Sequence, residues 1–85
     1  MYLTNLEAAK EIARLVRLRD AGGIIIVDFI DMNNEGHRSR VLDTLESCFR
    51  DDRTQYHILG WTKLGLLEMT RKRMRNENEV VIGSQ

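Results

Sequence analysis

The sequence predicts an α/β fold in the order helix-strand-helix-strand-helix, built around a central βαβ unit. Three observations carry this expectation. The run Ile24-Ile25-Ile26-Val27 is β-branched throughout and closes on Asp28, as a buried strand does. Apolar residues recur at helical spacing on either side of it, at Leu6, Ala9, Ala13 and Val16 and again at Val41, Leu42, Leu45 and Phe49. A second stretch of strand formers, Thr54-Gln55-Tyr56-His57-Ile58-Leu59, ends at Gly60.

The first helix is expected over about residues 5 to 20. Thr4 and Glu7 have the spacing of a capping box, Ile12 and Leu15 widen the apolar stripe, and Asp20-Ala21-Gly22-Gly23 stops it with glycine chemistry. The Ile24 strand shows no polar alternation and so reads as buried on both faces. Met32-Asn33-Asn34-Glu35-Gly36 is turn chemistry, after which a second helix runs from about residue 35 to near Asp52. The segment between the two strands is too long for a hairpin, which makes them parallel members of a right-handed βαβ unit. Leu66, Leu67, Met69 and Met74 then mark a third helix ending in a basic cluster. Residues 1–75 form the structured part, and 76–85 a tail whose short apolar run Val80-Val81-Ile82 pairs weakly or stays loose.

At 85 residues the chain is one domain at most, and a chain this short buries only about 60% of its unfolded surface. With 42% hydrophobic and 31% charged residues and no proline, it is globular rather than disordered. The longest strictly apolar run, Ile24–Val27, is far short of the roughly 20 residues of a membrane-spanning helix, so no transmembrane segment is expected. The first residues, Met1-Tyr2-Leu3-Thr4-Asn5, lack the basic and apolar regions of a secretory signal. Cys48, the one cysteine, has no internal disulfide partner, and a reducing cytoplasm is the expected location. Net charge is zero but unevenly placed. From Trp61 to Arg75 the cations Lys63, Arg71, Lys72, Arg73 and Arg75 face Glu68 alone, leaving +4 there and −4 on the remainder.

Asp28 is the first candidate for chemistry. In open α/β sheets ligands bind beyond the carboxyl ends of strands, and a carboxylate leaving a dry strand suits a hard divalent cation such as magnesium. The same carboxylate could instead cap the second helix or pair with an arginine. Asp31-Met32-Asn33-Asn34-Glu35-Gly36 opens like a calcium-binding EF-hand loop, but Leu42 occupies the position of the bidentate glutamate and a strand precedes it, so Asp31 reads as a turn or helix cap. His37 and His57 have no companion at a metal-ligand spacing; His37 is expected to be solvated, His57 partly buried and hydrogen-bonded, and Cys48 packed and inert. No Ser-His-Asp or Cys-His arrangement is present, and Gly22-Gly23 is too short for a phosphate-binding glycine motif. The basic cluster fits either contact with phosphates or a solvated helix end.

Several segments taken together carry a resemblance: Asn5-Leu6-Glu7-Ala8-Ala9, Glu11-Ile12-Ala13-Arg14, Arg17-Leu18-Arg19-Asp20-Ala21-Gly22-Gly23, Asp28-Phe29-Ile30-Asp31-Met32, Asp52-Arg53 and Gly65-Leu66-Leu67-Glu68-Met69-Thr70-Arg71-Lys72-Arg73. In order and spacing they resemble the ribonuclease E/G family of endoribonucleases. The resemblance implies a segment, residues 1–75, of the catalytic deoxyribonuclease-I-like subdomain of a larger enzyme. That enzyme would be a bacterial, homo-oligomeric, magnesium-dependent endoribonuclease that cuts single-stranded RNA in RNA processing and decay. Asp28 matches one of two aspartates that hold the catalytic magnesium in the family, leaving a 5′-phosphate and a 3′-hydroxyl. Its partner belongs to an upstream Asp-Val-Asn-Ser-Gly-like segment that this sequence does not contain. The family's separate RNA-binding domain and paired zinc cysteines are also absent, and Gln55 stands where some members have an arginine near the pocket sensing a 5′-monophosphate. The chain alone is therefore expected to be inactive. The competing expectations are a non-catalytic RNA-binding module, carried by Lys63, Arg71, Lys72, Arg73 and Arg75, and a protein-interaction module carried by apolar surface at Trp61, Leu64 and Val80-Val81-Ile82.

Overall fold

A computed structural model describes residues 2–30 and 32–75. It contains helix α1 (Tyr2–Leu18), strand β1 (Gly23–Asp28), helix α2 (Glu35–Phe49), and strands β2 (Tyr56–Trp61) and β3 (Leu66–Arg71). The α/β class expected from the sequence is what forms, with one element changed in kind. Asp31 and the whole tail, including Val80-Val81-Ile82, lie outside the described residues. No described helix is long and apolar enough to cross a membrane.

α1 begins at Tyr2, so Thr4 and Glu7 fall inside it rather than capping it, and Glu7 pairs with Lys10 on the solvent side at 3.4 Å. Its end is a Schellman turn: Ala21 N–H donates to Val16 O at 2.9 Å and Asp20 N–H to Arg17 O at 3.2 Å. The left-handed residue that this turn requires is Asp20, at φ 52°, and not either glycine that follows. Aspartate tolerates that conformation better than most residues, and here its carboxylate is held by three donors described below. The apolar stripe of α1 delivers Ala9, Ala13 and Val16 to the core, where Val41, Leu45 and Phe49 of α2 meet them.

α2 starts at Glu35 because Asn34 caps it, its side-chain oxygen accepting from His37 N–H at 3.1 Å. The helix ends at Phe49, three residues before the expected limit near Asp52. β2 is likewise displaced two residues along the chain from the expected 54–59, because Gly60 sits inside the strand at a bulge, with φ 116°.

The expected third helix is strand β3, which pairs antiparallel with both β1 and β2, so the sheet order is β1-β3-β2. β1 and β2 do run parallel as expected, but β3 lies between them, and the βαβ unit is split. The hairpin turn decides this. Thr62 accepts from Leu64 and Leu66 N–H through its hydroxyl at 3.2 and 3.1 Å, and Gly65 takes φ 83° to reverse the chain. After the turn burial alternates with period two: Leu67, Met69 and Arg71 point inward, and Leu66, Glu68 and Thr70 are half-buried on the opposite face. The helix propensity of Leu, Glu and Met yields to strand pairing.

Both helices contribute to a core on one side of the sheet, with Val27, Leu67 and Met69 facing them. Among the described residues the other face is open. Ile24 is 76% and Ile26 48% exposed, so β1 is covered on one side only, contrary to the expectation of two-sided burial. Asn5, buried in α1, donates to Ile30 O at 2.6 Å and so ties the first helix to the segment leaving β1.

Candidate functional site

The carboxyl ends of β1 and β2 lie at one end of the sheet, because the two strands are parallel. Asp28 is the last residue of β1, exposed, and in register with Leu66 on β3. By strand alternation its side chain shares the open face with Ile24, Ile26, Glu68 and Thr70. Neither simple alternative for Asp28 is realised. The cap of α2 is Asn34, and among the described residues the Asp28 carboxylate makes no hydrogen bond or ion pair. An exposed carboxylate at a strand end, with its oxygens unengaged, fits a ligand to a hard divalent cation. Among the described residues no group of three or more His, Cys, Asp or Glu that could hold a metal ion comes together.

The two histidines stay outside any such site. His57 is exposed on β2, in register with Thr70, rather than partly buried, and His37 is half-buried in the first turn of α2 rather than solvated. Cys48 is half-buried against the core, as expected of a packed thiol.

The basic cluster divides. Lys63, Lys72, Arg73 and Arg75 are exposed, whereas the side chain of Arg71 is 0% exposed. Arg71 Nε and Nη2 donate to Asp52 Oδ2 and Oδ1 at 2.8 and 3.2 Å, and Nη1 donates to Asp20 Oδ1 at 3.0 Å and Ala21 O at 2.8 Å. Those bonds withdraw Arg71 from any RNA surface: it is a buried clamp joining the end of α1, the loop after α2 and β3. The N–H groups of Met74 and Arg75 also bind the Asp20 carboxylate, at 2.8 and 2.9 Å. They hold its pKa below the usual carboxylate range, with Arg71 adding to the effect. Hydrogen bonds from Arg71 lower Asp52 in the same way, against the opposing effect of burial.

Lys72 and Arg73 instead line a shallow groove with Arg53, Thr54, Gln55 and Met74. The groove is strongly cationic, and Arg53 joins it from outside the cluster visible in the sequence. A second cleft at the Asp28 end of the sheet is lined by Glu35, Arg38, Ser39, Leu42 and Trp61. Sequence reading missed Arg38 and gave Trp61 only as surplus apolar surface. The signal available was weak: an arginine in the first turns of a helix and a lone tryptophan, 23 residues apart.

Fold and site together define a mixed α/β segment whose sheet ends in a carboxylate without a partner among the described residues. The family model of the ribonuclease E/G family matches residues 1–74, and the chain belongs to that family. It is 56% identical to ribonuclease G of Salmonella typhimurium and 55% identical to ribonuclease G of Escherichia coli, each over 82 residues covering 96% of this chain. Ribonuclease E of Escherichia coli is 51% identical over 73 residues, 86% of this chain. The chain spans 17% of the ribonuclease G relatives and 7% of that ribonuclease E.

Proposed function

We propose that these residues form part of the active-site subdomain of a magnesium-dependent endoribonuclease acting on single-stranded RNA, with Asp28 as one of two carboxylates holding the metal. The observation that carries this reading is the state of Asp28: an exposed strand-end carboxylate, free of cap or ion pair among the described residues, in a chain of this family. Bound magnesium would supply an activated water and offset charge developing on the phosphate. Asp28 positions the ion from a hydrogen-bonded strand, which fixes its backbone, and the second carboxylate comes from outside these 85 residues. Lys63, Lys72, Arg73 and Arg75 offer sites for RNA phosphates, and Arg71 holds the β3 end in place behind them. The parent enzyme is read as a cytoplasmic homo-oligomer.

The test is a transplant. Replacing the matching segment of Escherichia coli ribonuclease G with residues 1–74 of this chain is expected to preserve magnesium-dependent cleavage of single-stranded RNA, while the 85-residue chain alone gives none. A chimera that folds but leaves RNA intact would reject the reading.

A non-catalytic RNA-binding role draws support from one observation, the cationic groove of Arg53, Lys72 and Arg73. Under either role, RNA affinity of the chain should fall with salt, and charge reversal at Lys72 and Arg73 should flatten the log-log salt slope by about 1 to 2, since each phosphate contact contributes roughly 0.7 on a single strand. A slope unchanged by the reversal would remove the groove from the RNA surface.

A further inference from the structure

Arg38 is placed with unusual economy. Its Nε donates to the carbonyl of Met32, and its guanidinium carbon stands 5.5 Å from the centroid of the Trp61 ring. Trp61 is fixed in turn: its indole N–H donates to Arg38 O at 3.3 Å, and its ring packs tilted against Phe29 at 5.8 Å between centroids. The Arg38 plane, its height over the ring and the indole orientation are thereby constrained. The two terminal amino groups of Arg38 nevertheless have no hydrogen-bond partner among the described residues. A guanidinium held by its Nε and its face, with the fork left open, has already lost the rotamer freedom that anion binding would otherwise cost.

The position of the fork matters as much. Nη2 of Arg38 lies 3.2 Å from where a side-chain carbon would sit on Gly65, and the next residue, Leu66, is the register partner of Asp28. Phe29, which packs on Trp61, directly follows Asp28. The fork and Asp28 thus lie at the same rim of the sheet, with the Asp28 side chain leaving by the opposite, open face. The cleft between them and α2 is open to solvent and mixed in character: Leu42 and the half-buried indole are apolar surface, and Glu35 and Ser39 add polar groups at the edge.

A planar aromatic, an apolar floor, a preset guanidinium fork and a polar rim together match one nucleotide. We propose that Arg38 and Trp61 form a nucleotide-holding site for single-stranded RNA at the Asp28 end of the sheet, on its helix-covered face, the Arg38 fork taking a phosphate and the adjoining base lying against Trp61 and Leu42. The proposal rests on the ribonuclease reading and deepens it by giving the substrate strand a fixed point at this rim of the sheet. If the pair served only to pack α2 on the sheet, substitutions would change stability and leave RNA affinity alone.

Trp61 is the one tryptophan of the chain, so its emission reports the site directly. The experiment titrates the full chain at low salt with a dye-labelled single-stranded RNA decamer, following dye anisotropy and tryptophan emission together. The two signals are expected to move in step, with Trp61 emission quenched as anisotropy rises. Arg38→Gln should weaken binding about tenfold and Trp61→Leu by a similar factor, as loss of a charge-assisted contact or a stacked base does. Arg38→Gln keeps the proposal falsifiable if Trp61→Leu fails to fold. Anisotropy that rises without quenching, with Arg38→Gln at full affinity, overturns this site and leaves the ribonuclease reading standing. No anisotropy change at low salt also overturns it, and the ribonuclease reading is then judged separately by the chimera.

Discussion

In the ribonuclease G chimera carrying residues 1–74, Asp28→Asn is expected to lower RNA cleavage by about a thousandfold at saturating magnesium. The reasoning is one of charge. A metal-held water and an ion facing the phosphate contribute several kcal/mol to the transition state, and about 1.4 kcal/mol is a factor of ten in rate. Asparagine keeps the size and one oxygen of the side chain but loses the negative charge that makes a hard cation prefer it. The fold should not notice. Asp28 is exposed and makes no described hydrogen bond or ion pair, and surface changes of that kind stay within about 0.5 kcal/mol, a few degrees of melting temperature in a domain this size. The measurement pairs a cleavage assay with a thermal melt. Normal turnover would end the assignment of Asp28 to the metal; lost turnover with a collapsed melt would show a structural residue instead.

Arg71→Met should cost about 3 kcal/mol or more of stability, because it leaves the Asp52 carboxylate, 3% exposed, without its partner. Against a total of about 5–15 kcal/mol for a domain, that is enough to leave a sizeable unfolded fraction near body temperature. Pairing it with Asp52→Leu should recover part of the loss, since removing both charges also removes the uncompensated one. Urea melts of the single and double variants check both statements, and a double variant as weak as Arg71→Met would show that packing rather than charge was lost. The clamp also sets a pH dependence. Asp20 and Asp52 have folded pKa values below their unfolded ones, so their stabilisation is complete above the unfolded carboxylate range near 4 and is lost as pH falls through the folded values. The wild-type melting temperature should thus drop on acidification below about pH 4, and less steeply in the Arg71→Met, Asp52→Leu double variant.

The α/β class, both helices and the strand ending at Asp28 were legible because their signals are local. Helical stripes on α1 and α2 and the β-branched run each occupy a dozen residues or fewer and need no partner to be recognised. β3 was not legible, because its inward alternation runs Leu67, Met69, Arg71 and an arginine does not count as inward until its two aspartates are known to surround it. The same blindness put Arg71 among the RNA contacts: five cations in one stretch look alike in sequence, and only burial separates the clamp from the surface. Two-sided burial of β1 was inferred from composition, yet half of its apolar residues face outward among the described residues. At the site, Asp28 could be singled out but not distinguished from a cap until Asn34 was seen in that role. Arg38 and Trp61 could not be paired at all, because nothing in the spacing of two residues on different elements brings them together.

The order β1-β3-β2 has a consequence during synthesis. The central strand is the last of the three to be translated, so neither β1 nor β2 has its described neighbour until Leu66–Arg71 has left the ribosome. At about 5–20 residues per second, β1 waits several seconds with its isoleucines unpaired before any of the described β ladder can form. A nascent chain interrupted before Leu66 would keep both helix sequences and none of the sheet, and the seal made by Arg71, which joins residues 51 positions apart, would be missing with it.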